Sequence, residues 1–385
     1  MKKIGLCVCY DTKNYGSQLQ VLATQIKVGE FGYDYEIIRY KKKKTVAFML
    51  KSLPRLLNPI FVKGKMRGIS KKWNLEKYPE IKKKNEIRDK RFAKFIDDYF
   101  KKLSPVYLSY NRLKNCVDNY DAFLVGSDQL WLPSGLASGF YTLMFVPEKI
   151  KKITYATSFG VGQIPKYQCN RTREYLNRIQ HISVREIKGQ QIVKKLTGKE
   201  IEVVLDPTLL LSTDEWKQII PVCKVVKAPY IFCYFLGTNP EHRKISEELK
   251  EKTGLQIVCL THLDEFVEGD LDFGDNQLFD VGADNFVNLI RGAKYICTDS
   301  FHGSVFSILN HKKFIIFNRF MEGSSGSRNS RIDSLCNQLG LSERRYKSDV
   351  LSEMTADIDY DVVDNRLNEL RGRSLRYMEL ALNDV

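Results

Sequence analysis

Asp299, Ser300 and His302 stand in the stretch TDSFHG (298–303), where the apolar run YIC gives way to residues with helical spacing. The chain has five histidines in 385 residues. A helix start offers unpaired backbone N–H groups and the positive end of its dipole to an anion. A histidine there can donate to that anion or transfer a proton near neutral pH. Gly303 lets a ligand approach the backbone, and Ser300 and Ser304 add hydroxyls. The plainer alternative is a histidine that caps its own helix.

Three more corners carry similar residue types. VGSDQLW (125–131) follows an apolar strand with Ser127, Asp128, Gln129 and Trp131. Asp128 can take a proton from a hydroxyl and Trp131 can stack on a ring, or the pair are a capping aspartate and a core tryptophan. ISVREIKG (182–189) ends a strand with Arg185, able to grip a carboxylate or phosphate through two parallel hydrogen bonds. Glu186 beside it can equally be its salt-bridge partner. In CYDTKNYGSQLQ (9–20), Asn14, Tyr15 and Gly16 open a helix that can hold an anion. Asn14 or Ser17 serves equally as an ordinary N-cap there.

The elements that must position these corners alternate, which argues for α/β architecture with parallel sheets. Strands are expected at 4–9, 35–40, 121–128, 152–160, 181–186 and 201–207. A second unit follows with strands at 228–237, 255–260, 294–300 and 313–318, separated by helices. The plan is two Rossmann-like domains facing across a cleft. They span 1–212 and 213–361, and a C-terminal helix follows at 362–385. Ligands of such sheets bind beyond the carboxyl ends of the strands, so the corners are the informative places.

Charge is unevenly placed. Of 61 Lys/Arg and 46 Asp/Glu, 21 and 6 fall between Lys41 and Lys102, which leaves 40 of each elsewhere. The whole formal charge of +15 belongs to this basic insert, with helices expected near 45–57 and 80–102. Its stretch KKKKTVAFMLKSLPRLLNPIFVKGKMRG (41–68) interleaves lysines with apolar residues from Val46 to Val62. That pattern suits an anionic membrane surface, or a solvated hairpin covering the cleft. No nucleic-acid module accompanies it, so nucleic acid is not an expected partner. Nine cysteines without a CxxC pair read as buried, reduced thiols. No apolar run reaches membrane-spanning length, and the N-terminus reads as a strand rather than a signal peptide. A cytoplasmic protein, peripheral on the inner face of the membrane, is expected.

Taken in order, NYGSQLQ, VGSDQLW, YATSFG, ISVREIKG, VLDPTLLL, TDSFHGSVFSI and SRIDSL resemble the motif series of the polysaccharide pyruvyl transferase family. The resemblance implies a glycosyltransferase B-like fold. It also implies transfer of the enolpyruvyl group of phosphoenolpyruvate onto a sugar diol. A pyruvate ketal forms and phosphate leaves. The acceptor would be a surface-polysaccharide precursor, lipid-linked or capsular. The family's SVRE arginine and late-corner histidine, associated with phosphoenolpyruvate, map onto Arg185 and His302. Many members carry Arg-Leu-His where this chain has Ser300-Phe301-His302. The serine hydroxyl and helix start, or Arg331, must then supply the missing charge. Ser158, in YATSFG, joins the candidate binding residues.

Phosphoenolpyruvate chemistry asks for these residue types on its own account. Its two anionic groups need Arg185, Arg331 and the helix start at 302. Its methylene carbon needs an acid, His302. The attacking hydroxyl needs a base, Asp128. No metal or redox cofactor is called for. The competing expectation is a nucleotide-sugar glycosyltransferase of the same fold, binding near 270–300. That region holds Asp280 and Asp284 but no clear basic pair for a diphosphate. A non-enzymatic glycan-binding or scaffold protein is disfavoured by the joint presence of Asn14, Asp128, Arg185 and His302.

Overall fold

A computed structural model describes residues 1–41, 59–134, 136, 139–262, 266–320 and 329–385. The first sheet holds β1 (Lys3–Cys7), β2 (Asp34–Tyr40), β3 (Leu103–Tyr107), β4 (Ala122–Val125) and β5 (Lys151–Thr154), all parallel, in the order β3-β2-β1-β4-β5. A two-stranded piece, β6 (Ser183–Val184) with β7 (Glu202–Val203), follows. Single bridges from Ile153 to His181 and from Thr157 to Val184 attach it to the end of that sheet. The second sheet repeats the plan. β8 (Tyr230–Tyr234), β9 (Gln256–Leu260), β10 (Asn276–Gln277), β11 (Tyr295–Thr298) and β12 (Lys313–Ile316) are ordered β10-β9-β8-β11-β12, again parallel. The inner strands β4 and β8 are fully buried apolar runs, as parallel sheets covered by helices on both faces require.

The edge strands β3 and β10 have too little apolar alternation to stand out in the sequence. The runs expected at 181–186 and 201–207 pair over only two residues each. Helices end where left-handed glycines permit it, at Gly254 (φ 67°) and Gly340 (φ 73°).

Three segments tie the halves together. The helix Tyr15–Glu30 is buried along most of its length between them. Tyr15 stacks on Phe286 of the second unit, with ring centroids 5.1 Å apart and planes 3° from parallel. The helix Pro79–Tyr99, the second half of the basic insert, is an interdomain strap. Its backbone carbonyls at Phe92 and Tyr99 accept from Gln18 and Gln25 at 3.0 and 2.8 Å. Its Arg88 donates to the Thr261 carbonyl at 2.9 Å, and Arg91 pairs with Asp280 and Asp284 at 3.4 and 3.7 Å. Those two aspartates are therefore engaged by the strap. The C-terminal helix Tyr360–Asn383 returns to the first unit. There Tyr33 Oη donates to the Leu382 carbonyl at 2.8 Å, and Tyr377 Oη to the Thr154 carbonyl at 3.0 Å.

Cys169 is partly buried, Cys223 is exposed, and the other seven cysteines are buried; all nine are unbridged. Among the described residues no helix is long and apolar enough to cross a membrane. The helix expected near 45–57 lies outside the described residues.

Candidate active site

In each sheet the strand order reverses between a central pair, β1/β4 in the first and β8/β11 in the second. A crevice opens beyond the strand ends at such a switch point. The two crevices face one another and merge into one cavity of about 380 Å³. Cys9 and Thr12 line it after β1, Asp128 after β4, Leu236 after β8 and Asp299 after β11. Asn14, Ser17, Gln129, Ser300, His302, Arg319, Asn329 and Arg331 also reach it.

Asp128 is held under strain. Its backbone is left-handed, φ 79°, a region that costs a non-glycine residue about 1–2 kcal/mol. The turn is fixed because Oδ1 accepts from Gln129 N at 2.8 Å and Oδ2 from Ser17 Oγ at 2.5 Å. Ser17 stands in the first turn of the helix Tyr15–Glu30, whose N-cap Asn14 accepts from Ser17 N at 3.1 Å. Burial pushes the Asp128 carboxyl up, but Arg185, His302, Ser17 and Arg331 outweigh it and hold it at about 2. It is a carboxylate at neutral pH.

Arg185 does not reach the cavity. Its side chain is 1 % exposed, under the Phe301 ring at 4.6 Å. It is engaged by Asp206 at 2.7 Å and Asp128 at 3.3 Å. The expectation that it grips substrate directly is corrected. Asp206 and Asp128 accept from its two terminal nitrogens, which ties it to the floor beneath Asp128. Glu186 is not its partner. That carboxyl accepts from Ser158 Oγ at 2.8 Å, and burial pushes it upward.

Asp206, in VLDPTLLL, is the hub beneath the floor. Its Oδ2 accepts from Arg185 and, at 2.8 Å, from Ser127 Oγ. Its Oδ1 accepts from Thr208 Oγ1 at 2.7 Å and lies 3.6 Å from His302 Nε2. Burial alone would raise this carboxyl, yet the nearby His302 and Arg185 bring it far below the usual carboxylate range.

His302 belongs to the helix Phe301–Leu309, capped by Ser300 Oγ, which accepts from Gly303 N at 3.2 Å. Its ring rests against Gly16, where an added Cβ would lie 2.0 Å from Nδ1 and 2.7 Å from the histidine's own Cβ. Gly16 is thus a glycine because a histidine from the other unit packs on it. Gly16→Ala must push the whole His302 side chain aside. The expected outcome is a fall in turnover with a melting temperature that falls only modestly, checked by steady-state kinetics beside a thermal melt. Unchanged turnover would mean that the position of His302 does not matter.

The structure brings Asn14, Asp128, Gln129, Ser300, His302 and Arg331 to one cavity. Several other expected binding residues serve the packing instead. Tyr15 is fully buried in the interdomain aromatic cluster. Trp131 is 0 % exposed, tilted against Phe159 and Tyr175, and donates Nε1–H to the Tyr141 carbonyl at 2.9 Å. It offers no face to a sugar, and that expectation is corrected. Ser127 and Ser158 are buried behind the cavity as partners of Asp206 and Glu186. Ser304 Oγ donates to the Ser300 carbonyl at 3.0 Å inside its helix. Gly303 admits Thr298, not a ligand, since a Cβ there would meet Thr298 Oγ1 at 2.6 Å.

Ser17 and Arg319 line the cavity and Asp206 lies beneath it, places that the corner motifs did not assign to them. Arg319 follows β12 as Arg185 follows β6, so the strand-end rule reaches it too. It flanks Asp299, whose oxygens accept from Leu236 N and Gly237 N at 2.6 and 2.7 Å. Burial raises the Asp299 carboxyl. Among the described residues no cluster of three or more His, Cys, Asp or Glu is placed to hold a metal ion.

The family model for polysaccharide pyruvyl transferase matches residues 14–319. No curated protein matches the chain. Among solved structures, a putative UDP-N-acetylglucosamine 2-epimerase from Listeria monocytogenes is similar at 11 % identity, over 97 % of this chain and 90 % of that one, with a TM-score of 0.51. The UDP-GlcNAc 2-epimerase from Neisseria meningitidis matches at 10 % identity over 99 % and 94 %, with a TM-score of 0.49. The first of these likenesses agrees with the glycosyltransferase B-like arrangement of two facing Rossmann-like units and speaks to fold alone.

Proposed function

Since the chain belongs to the polysaccharide pyruvyl transferase family, we propose that its cavity binds phosphoenolpyruvate and transfers the enolpyruvyl skeleton to two hydroxyls of a saccharide. The saccharide is a lipid-linked precursor of a surface polysaccharide. One observation supports this above the others. Arg319, Arg331 and His302 from one unit and Asp128 from the other converge on a single cavity.

Arg319 and Arg331 receive the carboxylate and phosphate, as guanidinium groups suit both. They stand in for the arginine missing at position 300. His302 gives a proton to the methylene carbon, and C2 becomes electrophilic. The first hydroxyl attacks C2 and passes its proton to Asp128. A carboxylate held at about 2 is a weak base, so this transfer comes late, once the attacking oxygen has become strongly acidic. Phosphate leaves, and the second hydroxyl closes the ketal. Of the two hydroxyl protons, one restores His302 and the other departs with phosphate. Phosphoenolpyruvate is the donor substrate, and the scheme uses no cofactor.

The test is phosphate release from phosphoenolpyruvate with and without diol-bearing saccharides, beside thermal shifts with phosphoenolpyruvate and with nucleotide sugars. Acceptor-dependent release and stabilisation by phosphoenolpyruvate are expected. Stabilisation by a nucleotide sugar alone, with no release, would make the protein a glycosyltransferase. Arg319→Ala is expected to raise the KM for phosphoenolpyruvate by roughly 10–100-fold, the loss of one charged hydrogen bond. An unchanged KM would remove Arg319 from the donor site.

A further inference from the structure

The two faces of the helix Pro59–Lys77 have different surroundings. Lys71 and Leu75 face the C-terminal unit, lining a small hollow with Phe266 and Gln277. Tyr78, just beyond the helix, stacks on Phe266 with centroids 5.1 Å apart. On the opposite side Met66, Ile69 and Trp73 are 65 %, 72 % and 65 % exposed. Their spacing of three and four residues puts them in one stripe. Single exposed apolar residues are ordinary, but three in register on one helix face are not.

The helix also carries six Lys/Arg and a single acidic residue, Glu76. Lys72 and Lys77 flank the stripe, and Lys77 Nζ stands 4.5 Å from the centre of the Trp73 ring. An apolar stripe with a tryptophan and a cationic border matches the two layers of an anionic membrane interface. Apolar side chains enter the acyl boundary, and lysines meet the headgroups. In the following helix Arg88 and Arg91 strap the two units together. In Pro59–Lys77, by contrast, Lys72 and Lys77 stand beside an exposed apolar stripe.

We infer that the Met66–Ile69–Trp73 face docks on an anionic phospholipid bilayer, with the helix lying in the interface. This docking stands on its own; only its purpose, presenting a lipid-linked acceptor at the inner face of the cytoplasmic membrane, rests on the proposed reaction. Protein and nucleic-acid partners are less suited. A nucleic acid has no use for Met66 and Ile69, and a protein partner does not require so strong a positive border.

The full chain is sedimented with vesicles of phosphatidylcholine, alone or mixed with phosphatidylglycerol. Binding only to the mixed vesicles is expected, weakening with salt. Trp131 and Trp216 are 0 % and 2 % exposed, so a blue shift of tryptophan emission on binding reports Trp73. The triple variant Met66→Ser, Ile69→Ser, Trp73→Ser should bind more weakly by about tenfold or more. Its phosphate release with a water-soluble saccharide should match that of the wild type. Wild type that ignores anionic vesicles overturns the inference. So does a triple variant that binds as tightly as wild type, or capture by single-stranded RNA that vesicles do not displace. If the proposed reaction is wrong, phosphate release is absent from both proteins while the vesicle result is unaffected.

Discussion

His302→Ala lowers phosphoenolpyruvate-dependent phosphate release by about 10²–10⁴-fold, the usual worth of a positioned general acid. The fold should survive the change. Asp206, the nearest carboxylate, keeps its bonds from Arg185, Ser127 and Thr208 when the imidazole is removed. The space vacated borders a cavity rather than a sealed core. Separating kcat from KM decides what His302 does. A proton donor to the methylene carbon affects kcat, whereas a residue that only holds an anion affects KM. His302→Gln refines the distinction, because the amide keeps a donor but cannot transfer a proton. Full recovery of kcat in His302→Gln would sink the acid role.

Asp206→Asn is the second change with a large effect. Arg185 is buried, and its shortest ion pair is the 2.7 Å contact to Asp206. Removing one partner of such a buried pair costs about 3–5 kcal/mol, a sizeable share of the 5–15 kcal/mol typical of a folded domain. The remaining ion pair, to Asp128 at 3.3 Å, must then carry most of the balance of Arg185. Asp128 should shift toward Arg185 and away from Ser17, so activity falls along with stability.

The pH dependence follows from the depressed carboxyl. In the unfolded chain an aspartate takes up its proton near pH 4. Folded Asp206 resists until the pH is far lower, because its neighbours favour the anion more than burial disfavours it. Acid therefore favours the unfolded state. The stabilisation is complete above the unfolded value and is lost progressively as pH falls below about 4. Wild type should lose melting temperature more steeply than Asp206→Asn between pH 5 and pH 3, roughly the range that flanks the unfolded carboxyl. The variant keeps the smaller share due to Asp128, itself held at about 2. Equal slopes in the two proteins would mean that Asp206 is not stabilised as the geometry implies.

Much of the architecture was legible because its signals are local. Apolar runs such as YIFCYF and KFIIFN mark buried parallel strands. Glycines after helical stretches mark helix ends at Gly254 and Gly340. The corners are visible for the same reason, and Asp128, Ser300 and His302 could be found without coordinates. Short edge strands such as β10, two residues long, leave no comparable trace. Their pairing is set by the neighbouring strand and not by their own pattern.

Residue types at a corner are a property of the chain, but the direction of a side chain is a property of its neighbours. Trp131 and Arg185 illustrate the difference. Both follow strands, β4 and β6, and both have the chemistry of a ligand contact. One is held by Phe159, Tyr175 and the Tyr141 carbonyl. The other is held by two carboxylates, from Asp128 and from Asp206 twenty-one residues downstream. Asp206 and His302 are 96 positions apart, and Gly16 and His302 are 286 apart. Such contacts arise only when the two sheets face each other across the buried helix Tyr15–Glu30. The order of strands, the placement of charge and the motif series belong to the chain itself. Which cations reach the cavity and which are spent beneath it was decided by packing, because an ion pair between distant segments needs the folded distance to exist.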